Sequence, residues 1–70
     1  MKNNLKASLL NLLADNNGSI LHWQLPVYII DVAKEMAKAG EIMFNEDADL
    51  YIHPRATVRE EGGVVYTEMK

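Results

Sequence analysis

The sequence predicts an α+β domain in which two helices pack on a small antiparallel sheet, with a further β-hairpin at the C-terminus. Apolar side chains recur with a period near 3.6 in two segments, Leu5 to Leu13 and Ile29 to Ala37. After Gly40 the period drops to two, and alternation resumes between Ala56 and Thr67 around Gly62 and Gly63. The chain has 70 residues, 49% of them apolar and 24% charged, a balance that supports one folded domain over 1–70 and excludes a multi-domain enzyme.

In the first segment Leu5, Leu9, Leu12 and Leu13 share one side while Ser8, Asn11 and Asp15 gather opposite, so an amphipathic helix is expected over residues 4–16. Asn3 or Asn4 is placed to cap its start, and Asn16-Asn17-Gly18, helped by Ser19, to end it in the left-handed region. Residues 19–25 are too short for a helix and too mixed for a strand, and read as a packed connector. Pro26 pre-sets a helical φ at a first-turn position, and a second helix follows from Val27 to Ala39, closed by Gly40. Ile29, Val32, Ala33, Met36, Ala37 and Ala39 form its broad buried side; Asp31, Lys34, Glu35 and Lys38 form a narrow exposed stripe.

Ile42 and Phe44 then alternate with polar or exposed positions, as do Leu50 and Ile52. Pairing Phe44 with Leu50 and Ile42 with Ile52 would put all four on one face across the loop 45–49, and Pro54 would end the second strand. In the last hairpin, setting Val58 against Tyr66 and Glu60 against Val64 would group Ala56, Val58, Val64 and Tyr66, a register that other loop lengths would break. The expected core is Leu9, Leu12, Leu13, Ile29, Val32, Ala33, Met36, Ile42, Phe44, Leu50 and Ile52.

With no cysteine the chain has no disulfide, no thiolate zinc site and no cysteine nucleophile, which fits a reducing compartment. Its apolar runs, such as Val27 to Ile30, fall far short of the roughly 20 residues of a membrane span. Lys6 and Asn11 interrupt the only stretch that could suggest a signal peptide, so a cytoplasmic location is expected. Ser19, His22 and Asp15 could in principle supply a hydroxyl, an imidazole and a carboxylate, but no nucleophile elbow surrounds Ser19. His22 and His53 have no third metal ligand at a recognisable spacing. Asn45, Asp47 and Asp49 match the first three ligand positions of a calcium loop, yet Leu50 stands where that loop needs glycine and Ala56 where it needs glutamate. The expectation is a protein without cofactor, metal or catalytic site.

Trp23 either plugs the junction between the helices or anchors a partner, and the scarcity of other bulky residues favours the core. Lys34 and Lys38, with Arg55 and Arg59, could contact nucleic-acid phosphates. Pairing of Asp31 with Lys34 and of Glu35 with Lys38 explains the helical charges as surface stabilisers, and a net charge of −3 disfavours DNA. The competing reading makes Glu46, Asp47 and Asp49, with Tyr51 and Trp23, a contact for a basic surface on a protein. So small a core also favours self-association as a symmetric dimer, through the C-terminal hairpin or Trp23.

The order of helix, connector, helix ending in Lys38-Ala39-Gly40, then Glu41-Ile42-Met43-Phe44 and Leu50-Tyr51-Ile52-His53-Pro54 resembles a compact winged-helix domain. The resemblance covers residues 4–54 and implies that 27–39 match the recognition helix and 45–49 the wing tip. Two departures stand out. Gly18 to Leu25 replace a full helix and turn, and the wing is acidic where DNA-binding relatives commonly carry Arg or Lys. Degenerate domains of this kind resemble small bacteriophage or prophage regulatory proteins, which implies a regulatory binding module.

Overall fold

The computed structural model describes residues 2–69, with side chains from residue 4 onward. Helix α1 (Lys2–Asp15) leads to strand β1 (Ser19–Leu21) and a single 3₁₀ turn (His22–Gln24), then to helix α2 (Val27–Lys38). Strands β2 (Met43–Asn45) and β3 (Leu50–Ile52) follow, and β4 (Thr57–Glu61) and β5 (Val64–Glu68) make the C-terminal hairpin. This is the α+β arrangement expected from the two periodicities, winged-helix-like in the order of α2 and the strand pair that follows it. Among the described residues no helix is long and apolar enough to cross a membrane.

Both helices end in the same way. Gly18 donates to the Leu13 carbonyl at 2.7 Å and Asn17 to Ala14 at 3.2 Å, with Asn17 at φ 61°. At the end of α2, Glu41 donates to Met36 at 2.8 Å and Gly40 to Ala37 at 3.2 Å, with Gly40 at φ 79°. These paired bonds satisfy carbonyls that the last helical turn leaves without partners. At the other ends the expectations need correcting. Helix α1 already runs from Lys2, so Asn3 and Asn4 lie within its first turn instead of capping it; the Asn3 side chain is outside those described. Pro26 is the cap residue of α2 and not its first helical residue. Ser19 opens a strand instead of closing the helix.

The connector is the largest departure from the sequence reading. Ser19–Leu21 is a strand, and it pairs antiparallel with β3, giving a three-stranded sheet in the order β1-β3-β2. Three residues are too few to show a period, and only a partner strand makes such a segment extended.

The β2–β3 register is also one step from the expected one: Phe44 pairs with Tyr51, Met43 with Ile52 and Asn45 with Leu50. Asn45 causes the shift. Its side-chain oxygen accepts the Ala48 N–H at 3.0 Å, closing the turn over 46–49 and leaving Asn45 itself in the ladder. A one-residue slip exchanges the faces of a strand. Ile20, Tyr51 and Phe44 therefore turn toward the helices, while Leu50 and Ile52 take the opposite face and are buried there as well.

The core gathers Leu9 and Leu13 of α1, Ile29, Val32, Ala33 and Met36 of α2, then Ile20, Leu25, Ile42 and Tyr51. Leu12 is only partly buried, and Phe44 and Ala39 are exposed, against expectation. Phe44 sits on the edge strand β2, where one flank has no neighbouring strand to cover it.

In the C-terminal hairpin Val58 pairs with Thr67, Arg59 with Tyr66, Glu60 with Val65 and Glu61 with Val64. The turn is Gly62-Gly63 alone, with both residues at positive φ, so Glu60 and Glu61 belong to the strand. The expected grouping of Val58 with Val64 and Tyr66 is thereby broken. Val64 and Tyr66 share a face with Arg59, whose guanidinium lies 5.2 Å from the Tyr66 ring centre. Val58 lies on the other face with Val65 and Thr67.

Gly18 joins these parts. It is buried at φ 99°, and a Cβ there would stand 2.6 Å from the Ala56 Cβ. Gly40 also has a positive φ, but a Cβ would meet open space. Urea unfolding should therefore show Gly40→Ala less stable by about 1 kcal/mol, the cost of the left-handed backbone, and Gly18→Ala by about 2 kcal/mol or more. Equal losses in the two variants would mean that the contact with Ala56 carries no weight.

Candidate functional site

The acidic turn is held rigidly for its size. Beside the Asn45 bond, Asp49 donates its N–H to the Glu46 carbonyl at 3.4 Å and takes a left-handed φ of 51°. Glu46, Asp47 and Asp49 are all exposed. The Asp49 carbonyl accepts the His22 N–H at 2.7 Å, tying the turn to the 3₁₀ segment that carries Trp23.

Tyr51 lies beneath this turn in the central strand and is only 2% exposed, which corrects its expected role as a surface contact. Its ring centre is 4.7 Å from that of Phe44 and 5.7 Å from that of His22, and its hydroxyl is 3.1 Å from His22 Nδ1. It therefore orients the residues around it and offers no face of its own. Burial, and then the negative charge of Asp49, raise its hydroxyl above the ordinary tyrosine pKa of 10.0. An open cleft of about 280 Å³ lies alongside, lined by His22, Lys34, Ala37, Phe44, Asp49 and Tyr51.

Trp23 is 72% exposed, so it does not plug the core. Leu25 and Ile20 are buried in that region instead, because β1 carries the chain across the sheet and leaves the 3₁₀ turn outside it. Val27 and Tyr28 are 86% and 66% exposed in the first turn of α2. Sequence reasoning missed both, although the signal was present. Val27 stands four and seven residues before Asp31 and Lys34, and Tyr28 three and seven before Asp31 and Glu35, which places both on the charged stripe.

The basic candidates do not converge. Lys34 and Lys38 are exposed on α2, and among the described residues no ion pair joins Asp31 to Lys34. Arg55 borders a separate hollow with Leu10, His53 and Met69. Arg59 projects from the C-terminal hairpin, 3.3 Å from a Glu61 carboxylate oxygen and against Tyr66.

Ser19 and His22 are not brought together as a catalytic pair. The Ser19 hydroxyl is 2.6 Å from that of Thr67, while the His22 ring faces Tyr51. Among the described residues no three side chains of His, Asp or Glu are grouped to hold a metal ion.

Comparison with known protein families, with curated proteins and with solved structures finds no match for this chain.

Because Tyr51 binds its proton more tightly folded than unfolded, its contribution to stability is complete below a pH of about 10 and is lost as the pH rises beyond it. Tyr51→Phe should cost about 1 kcal/mol at neutral pH through the lost hydroxyl bond. It should also flatten the fall in stability at alkaline pH. Urea midpoints measured for both proteins on either side of pH 10 check this, and parallel curves would reject the role given to the hydroxyl.

Proposed function

We propose that this protein is a small, non-enzymatic regulatory module of winged-helix type that binds a protein partner with a basic surface. One observation carries the reading. The bond from His22 N–H to the Asp49 carbonyl ties the turn that bears the exposed Glu46, Asp47 and Asp49 to the 3₁₀ segment that carries the exposed Trp23, whose indole borders a hollow with Leu12, Asn16, Ile20 and Pro26. Acidic side chains steer a basic partner toward the site, and the aromatic supplies the contact that is buried on binding. Val27 and Tyr28 extend the apolar part onto α2, the element that the winged-helix resemblance equates with the recognition helix.

The reading as a DNA-binding regulator through Lys34, Lys38, Arg55 and Arg59 has less support. Arg59 already neighbours Glu61, Arg55 lies against the α1 side, and the α2 stripe includes Asp31 and Glu35 beside its lysines. A groove-binding helix needs excess positive charge where it meets phosphates. That the protein is not an enzyme is supported by the separate engagement of Ser19 and His22. The regulatory role rests on the resemblance alone, an argument from analogy.

Affinity capture from a host extract, with and without nuclease, distinguishes the two. Partner capture should resist nuclease, weaken in a Glu46→Lys, Asp47→Lys, Asp49→Lys variant, and fall roughly thirtyfold in affinity, about 2 kcal/mol, on Trp23→Ala. Capture that survives charge reversal and disappears with nuclease would replace the protein partner by DNA.

A further inference from the structure

The sheet formed by β4 and β5 has only two strands, so each has an outer edge, and the two edges differ. The two-residue turn makes Glu61 and Val64 a hydrogen-bonded pair, and by alternation Arg59 with Tyr66 and Thr57 with Glu68. The backbone groups of Val58 and Glu60 on β4, and of Val65 and Thr67 on β5, therefore point outward. On β5 the outward groups meet Asn17. Its side-chain amide donates to the Thr67 carbonyl at 3.1 Å and accepts the Met69 N–H at 3.3 Å, standing in for a neighbouring strand. On β4 no described residue does the same, and every residue of the strand is exposed.

We infer that the β4 edge pairs with β4 of a second copy of this chain, antiparallel about a twofold axis at Val58. The charges choose this register. With Val58 opposite its own copy, Ala56 meets Glu60, Thr57 meets Arg59, and Arg55, just before the strand, comes alongside Glu61. No like charges oppose one another. Moving the axis toward the turn sets Arg59 against Arg59, and a further step sets Glu60 against Glu60; moving it the other way brings Arg55 beside Arg59. Like charges directly opposed across strands destabilise the pair.

At the Val58 axis about four backbone hydrogen bonds form between the copies, through the outward groups of Val58, Glu60 and Ala56. The two Val58 side chains, exposed in the single chain, meet on one face of the joint sheet. A lone two-stranded hairpin is marginal in water, and the pairing turns two of them into one four-stranded sheet. The contact is isologous and closes on itself. The charges on β4 that would repel an arbitrary strand thus select an identical one.

Sedimentation equilibrium of the full chain from micromolar to millimolar concentration should show a monomer–dimer equilibrium. Val58→Pro removes an outward N–H that the β4–β5 ladder does not use, and should raise the dissociation constant at least about tenfold. Val58→Lys keeps that N–H but opposes two like charges on the axis, and should weaken the dimer likewise. In a mixture of isotope-labelled and unlabelled protein, NMR should show the Thr57 and Arg59 α-protons in contact between copies. A strict monomer at millimolar concentration would overturn the inference. So would folded Val58 variants that dimerise like the wild type, or contacts between copies at Trp23 and Tyr28 instead.

Discussion

The backbone reversal at Asn17 and Gly18 is the constraint on which the remaining packing depends, because three separate parts of the chain are fastened to those two residues. Their left-handed conformation ends α1 and releases β1 in the direction of the sheet. The Gly18 carbonyl accepts the His53 N–H at 2.7 Å, fixing the end of β3 beside the start of β1. The Asn17 side chain holds Thr67 and Met69, and the bare Cα of Gly18 lets Ala56 approach. The C-terminal hairpin is thus attached at its base. That attachment fits the long axis of 39 Å against a shortest extent of 20 Å.

With β1 directed in this way, β3 becomes the central strand and Tyr51 its middle residue, flanked by Ile20 and Phe44. A buried phenol needs a partner for its hydroxyl, and His22 provides it from the segment immediately after β1. The surface arrangement follows from this interior one. His22 is held by Tyr51 and by the Asp49 carbonyl, and the next residue, Trp23, is exposed. The proposed partner surface is therefore supported by the sheet even though its members lie on a turn and a single 3₁₀ segment, and a rigid support lowers the ordering cost of binding.

Among the described residues charge is distributed so that no face is strongly basic. The lysines of α2 share their stripe with acids, the α1 lysine Lys6 pairs with Glu41 at 3.1 Å, and Arg59 is occupied within its own hairpin. Exposed ion pairs of this type add little stability, at most about 1 kcal/mol. Their consequence is electrostatic: they leave Glu46, Asp47 and Asp49 as the most concentrated charge the chain presents on one turn.

The two helices, the buried face of α2 formed by Ile29, Val32, Ala33 and Met36, the breaks at Gly18 and Gly40, and the change from helical to extended period were all legible in the sequence. Each is a local consequence of side-chain spacing or of a residue suited to positive φ. The acidic candidates Glu46, Asp47 and Asp49 were legible for the same reason, since a polar turn stays exposed whatever register flanks it. Only the tertiary structure decided the strand Ser19–Leu21, which is extended because β3 lies beside it. The same is true of both hairpin registers, which hung on one side-chain bond from Asn45 and on the choice of Gly62-Gly63 as the whole turn. Tyr51, expected as a contact, is core, and Trp23, for which the core was favoured over a role as a partner anchor, lies at the surface. Burial of a large aromatic is set by which distant strand happens to cover it, and no spacing within its own segment encodes that.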